Sequence, residues 1–134
     1  MVEDIRELFE ELLSLCKNEA CALHDYRILR ESFERVIREK VSSAALQTTD
    51  LAARINYLSN SMSLDSKTRN ALHTFRLTSN DVLNHRKEPV KEEFLRDVRS
   101  VAGIYSRLFN TPIPQELDSL FLVDCSLSSM KWEK

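Results

Sequence analysis

Glycine occurs once in these 134 residues, at Gly103, and proline three times. Chains that turn often draw on both residue types, so a fold of many short strands is excluded and an all-α class is expected. One glycine also excludes a glycine-rich phosphate loop or a dinucleotide-binding turn, because each needs several. The three cysteines, Cys16, Cys21 and Cys125, are odd in number and show no zinc-like pairing, which favours buried thiols over a disulfide framework or a metal knuckle. No two histidines are spaced to hold zinc on one helix face, and no serine stands in a nucleophile elbow, so neither a metal nor a cofactor is expected. An excess of positive charge is missing too. At a formal net charge of −2 the chain has no overall basic field, and any nucleic acid would have to be met by a local patch. The opening MVEDIRELFEELL mixes acids into its apolar residues, which fits neither a signal peptide nor a membrane span; a cytoplasmic location without membrane contact is expected.

What is present is helical periodicity. Ile5, Leu8, Leu12 and Cys16, widened by Phe9 and Leu13, form a first stripe at helical spacing, and Glu3 and Asp4 precede it where acid complements the helix dipole. A second stripe runs Tyr26, Leu29, Phe33, Val36, Ile37 and Val41, with Arg30, Glu34, Arg35, Arg38 and Glu39 on the other faces. SSAALQTTD reads as a break, with Thr49 or Asp50 as N-cap of a short third helix carrying Leu51, Ile55 and Leu58. Asp65 or Ser66 then caps a fourth helix that runs to about His85. Pro89, Glu92 and Glu93 mark the start of a fifth, with Val90, Phe94, Val98, Val101, Ile104 or Tyr105, and Leu108 as its stripe, and Pro112 and Pro114 end it. The expected architecture is a compact all-α bundle of about five helices over residues 1–114. Residues 115–134 follow as a C-terminal tail in which LDSLFLVDC is helix or strand, with a further domain beyond it as one reading.

Chemistry concentrates in RLTSNDVLNH, residues 76–85. At about 100° per residue, Leu72, Phe75, Ser79, Val82 and Leu83 share the core-facing side of the fourth helix, Arg76 lies at its edge, and His73, Asn80 and Asn84 form a polar line on the neighbouring flank. Nine steps from Arg76 to His85 make about 900°, the opposite side of an ideal helix. The two therefore meet only if the helix ends, kinks or bulges near Asn80 to Asn84, or across a dimer. His85, Arg86, Lys87 and Lys91, with Arg96 and Arg99, are the candidate basic patch. Glu88, Glu92, Glu93 and Asp97 are interspersed with them, as on a solvated, salt-bridge-laced face.

LHTFRLTSNDVLNH, followed after a proline by EEFLRDVRSVAGIYSRLF, resembles the closing part of the HEPN domains, an all-helical superfamily named for higher eukaryotes, prokaryotes and nucleotide binding. The resemblance covers about residues 68–110. It matches Arg76 to that family's arginine, Asn80 to the polar residue that follows and His85 to its histidine. In the ribonuclease members such a pair, placed near a dimer axis, cleaves RNA without a metal. The resemblance would make His85 a general acid or base on a 2′-hydroxyl and Arg76 the stabiliser of charge on the phosphate. Eight residues separate Arg76 from His85 here, a longer interval than those members use.

The reading that follows is a HEPN-like accessory or interaction domain in a nucleic-acid-processing or defence context, non-catalytic and homodimeric. Arg76, Asn80, Asn84, Arg86 and Lys87 are its binding residues, and the partner is nucleic acid or protein. Two alternatives stand beside it: a metal-free endoribonuclease with Arg76 and His85 as catalytic pair, and a structural helical adaptor or dimerisation module.

Overall fold

The computed structural model describes residues 4–18, 21–40 and 50–121, and every regular element among them is helical. The helices are α1 (Ile5–Lys17), α2 (Leu23–Lys40), α3 (Leu51–Ser61), α4 (Ser66–Leu83) and α5 (Lys91–Leu108). A further helical segment, α6, covers residues 115–121. LDSLFLVDC is thus helical over its described part, with Leu117 and Phe121 buried. Val41, Thr49 and the rest of the tail, Cys125 included, lie outside the described residues. No helix among the described residues is long and apolar enough to cross a membrane.

Aspartates start the helices. Asp4, Asp50 and Asp65 accept from the backbone N–H groups of Arg6, Ala53 and Thr68 at 2.9, 3.0 and 2.8 Å, each satisfying a donor that the first turn leaves without an intrahelical partner. At α2 the buried Asp25 side chain reaches back to the Ala22 N–H, 3.0 Å away. α5 starts differently: its N-cap is the extended Val90, which offers no side-chain bond, and Pro89 lies before the cap rather than in the first turn. Glu92 and Glu93 do occupy that first turn.

Three helices end without glycine in a conformation that favours it. After α3, α4 and α5, the residues Ser63, His85 and Asn110 adopt φ of 54°, 60° and 51°. Each is followed by an N–H that reaches back five residues, Leu64 to Ser59, Arg86 to Asp81 and Thr111 to Ser106, at 2.9, 2.8 and 3.0 Å. These are Schellman closures, which satisfy carbonyls at the helix end. Gly103 takes no part in them and lies inside α5. An L-residue in the left-handed region costs roughly 1 kcal/mol or more. His85→Gly is therefore expected to raise the unfolding free energy by up to about 1 kcal/mol, and His85→Val to lower it, in chemical denaturation at neutral pH.

Packing divides the chain into two compact units. One is built on α1, α5 and α6. Leu8, Phe9, Leu12, Leu15 and Cys16 of α1 are buried, as are Phe94, Val98, Val101, Ala102, Ile104 and Tyr105 of α5. Both Ile104 and Tyr105 belong to the buried stripe, whereas Val90 is exposed. The α5 stripe is thus already covered within the chain, and a dimer would have to use another surface. Lys91, at the start of α5, closes the end of α1: its Nζ donates to the carbonyls of Cys16 and Asn18 at 2.9 and 2.6 Å and stands 5.9 Å from the centre of the Phe94 ring. Burial pushes the Cys16 thiol up to about 11, against a smaller lowering effect of Lys91, so it stays protonated and unreactive near neutral pH.

The other unit is the three-helix assembly of α2, α3 and α4, in which α4 packs on both neighbours. Tyr26, Leu29, Phe33, Val36 and Ile37 of α2 are buried, with Leu51, Ile55 and Leu58 of α3 and Leu72, Phe75 and Val82 of α4. Phe33 and Phe75 meet edge to face, ring centres 5.5 Å apart and planes at 85°.

Candidate functional site

The polar flank of α4 is held from both sides. On the α3 side, His73 Nε2 lies 2.9 Å from Asn56 Oδ1, and His73 Nδ1 accepts from Arg76 Nε at 3.3 Å. These partners assign the ring proton to Nε2, because Nδ1 must stay bare to accept. The imidazole is correspondingly held neutral: burial lowers its pKa, and the nearby Arg76 and then Arg69 lower it further.

On the α2 side stands a residue that the sequence pattern placed among surface charges. Arg30 Nη1 donates to Ser79 Oγ and to Asn80 Oδ1, both at 2.7 Å. Ser79 occupies a fully buried position, and its hydroxyl also donates to the Arg76 carbonyl at 3.0 Å. The Arg30 side chain is only 16% exposed, and its nearest carboxylate, Glu34 Oε1, is 3.8 Å from Nε. Burial lowers the Arg30 pKa, Glu34 opposes that, and Arg76 adds to it. The guanidinium nevertheless stays charged at any physiological pH. Two arginines thus lie close enough to oppose each other's charge at this seam, while Glu34 favours the charge on Arg30. The signal in the sequence was Ser79: a hydroxyl on a core-facing stripe needs a partner, and α2 supplies it.

The other expected site residues are placed as follows. Asn84 is the C-cap of α4, and its Nδ2 donates to the Asn80 carbonyl at 2.8 Å, so it finishes the helix. His85 is the left-handed residue of the closure beyond that cap, exposed, with its N–H donating to the Val82 carbonyl at 3.1 Å. Arg86 is exposed and Lys87 half-buried. Arg76 and Asn80, four residues apart, are brought together with Arg30. Arg76 and His85 share no contact, and the helix rises about 10 Å from Arg76 to its end at Leu83. Of the basic run, Lys91 is committed to the end of α1, and Arg96 pairs with the buried Asp97 at 3.1 Å.

Among the described residues no group of three or more His, Cys, Asp or Glu side chains is placed to hold a metal ion. A groove of about 360 Å³ beside α1 is lined by Phe9 and Pro112. It is edged by Asp4, Glu10 and Glu116 against Arg6 alone, the wrong sign for a polyanion.

The neutral His73 gives this site a pH dependence. The folded pKa lies below the ordinary 6.5, so the unfolded chain binds more protons as the pH falls through that value. This contribution to stability is complete above pH 6.5 and is lost as the pH drops toward the folded pKa. The difference in unfolding free energy between the wild type and His73→Gln is expected to shrink over that interval in urea titrations, and a difference independent of pH would contradict the assignment.

Comparison with known proteins finds no match, whether among family models, curated proteins or solved structures.

Proposed function

We propose that the chain is a HEPN-like helical accessory domain that binds nucleic acid without cutting it, in a nucleic-acid-processing or defence context within the cytoplasm. One observation carries this reading. Arg76, bound through Nε to His73 on the polar flank, has Nη groups without a protein hydrogen bond among the described residues, while His85 closes the helix end and shares no contact with it. Such a flank can hold a phosphate. Cleavage needs acid–base and charge-stabilising groups at the same reacting atoms, and within one chain this pair does not meet. The homodimer implied by the HEPN resemblance belongs to the same proposal, and sedimentation equilibrium measures it.

The test follows the fate and the binding of a single-stranded RNA. The oligonucleotide is expected to remain intact and to bind with an affinity that falls steeply with salt. Arg76→Ala should weaken binding about tenfold, and Lys87→Glu should weaken it at low salt. Cleavage abolished by both Arg76→Ala and His85→Ala, with helicity unchanged, would establish the ribonuclease alternative instead. Absence of RNA binding at low salt would leave a structural adaptor.

A further inference from the structure

We propose that Arg76 and Asn80 form the donor face of a receptor for a single phosphate group, and that Arg30 is the positioning residue that presets it. The source of that phosphate, an RNA backbone, rests on the function proposed above; the receptor chemistry does not.

Asn80 can present either end of its amide. Arg30 decides which, because its Nη1 donates to Oδ1 at 2.7 Å and only an oxygen can accept there. Nδ2, with its two hydrogens, is left without a protein partner among the described residues. One turn earlier on the same helix, Arg76 is steadied through Nε by His73, and its two Nη groups have no protein hydrogen bond among the described residues. Guanidinium and amide donors four residues apart are neighbours on the helix surface. A guanidinium fork with an additional N–H donor suits a tetrahedral oxyanion. Leu77, 52% exposed and next to Arg76 in sequence, gives the flank apolar surface for the rest of a nucleotide.

The electrostatics argue against simple bracing of α2 on α4. For that purpose Arg30, Ser79, Asn80 and Glu34 suffice, and a second guanidinium only adds repulsion. Arg76 works against the charge on Arg30 while Glu34 supports it, and a bound phosphate would offset the repulsion between the two guanidiniums.

Asn80→Asp separates the two roles. The carboxylate keeps, and strengthens, the acceptor that Arg30 needs, but it replaces the Nδ2 donor with negative charge. If Asn80 only braces α2, the variant melts at or above the wild-type temperature and behaves normally toward anions. The receptor predicts that the variant of this 134-residue chain keeps its melting temperature yet binds a mixed-sequence single-stranded RNA about tenfold or more weakly. Arg30→Met should weaken the same RNA and make the logarithmic salt dependence shallower by about one phosphate contact or less, with Arg30→Lys recovering the charge but not the full affinity. In parallel, inorganic phosphate at constant ionic strength should raise the melting temperature of the wild type above its value in chloride, but not that of Asn80→Asp or Arg76→Ala. RNA binding that depends on Arg76 but is unchanged in Asn80→Asp overturns the receptor and leaves the nucleic-acid function standing. Stabilisation by phosphate that depends on Asn80 and Arg76, without RNA binding, supports the receptor and removes RNA as its source. Failure of both probes overturns both.

Discussion

Phe75→Ala is expected to lower the unfolding free energy by about 3–5 kcal/mol, the range for removing a fully buried aromatic ring. The ring is fully buried where α4 packs on α2, edge-on to the equally buried Phe33. Its removal loses the transfer free energy of the side chain and leaves a cavity that can only partly close, because Arg30 pins α2 to α4 and His73 pins α4 to α3. Domains of this kind hold about 5–15 kcal/mol in total, so the variant should sit close to its melting transition at ambient temperature. Denaturation in urea followed by helical circular dichroism reads the cost directly. A double-mutant cycle with Phe33→Ala should return a coupling of about 0.5–1.5 kcal/mol for the ring pair. A loss below about 1 kcal/mol for Phe75→Ala would mean that the α2–α4 seam is not packed as described.

The second large effect is expected at Lys91. Its ammonium group closes two carbonyls at the end of α1, Cys16 and Asn18, which the helix itself cannot satisfy. Lys91→Met keeps most of the aliphatic stem over Phe94 and removes only the charged donor, so it isolates those two bonds from packing. A loss of about 1–3 kcal/mol is expected, and Lys91→Ala should lose somewhat more. The same result would account for one lysine of the basic run through helix closure rather than ligand binding. A variant as stable as the wild type would return Lys91 to the candidate patch.

Periodicity made the helices legible because each has one dry face. The stripes of α1, α2 and α4 are buried at Leu8, Leu12, Phe33, Ile37, Leu72 and Phe75, and of the cap candidates offered by the sequence the aspartates Asp50 and Asp65 fill the role. The start of α5 was less legible: Pro89 is compatible with a first turn in isolation, yet the helix begins after the extended Val90. The polar flank of α4 could also be drawn from the sequence, since His73, Arg76 and Asn80 recur at helical spacing. Its other half could not. Arg30 lies among the charges flanking the α2 stripe, and nothing local distinguishes it from Arg38, which is exposed. Only the packing of α2 on α4 makes it the partner of Ser79 and Asn80. Likewise, nothing local sets His85 at φ 60°, where glycine is the usual choice; that follows from how the α4 end closes.

The placement of Arg76 and His85 bears most directly on function. Incubation of the purified 134-residue chain with single-stranded RNA at neutral pH and low salt, scored for both bound and cleaved RNA, tests it in one measurement. Intact RNA is expected, bound in a salt-sensitive way that is weakened by Arg76→Ala and little changed by His85→Gly. Cleavage that disappears with His85→Gly would contradict it.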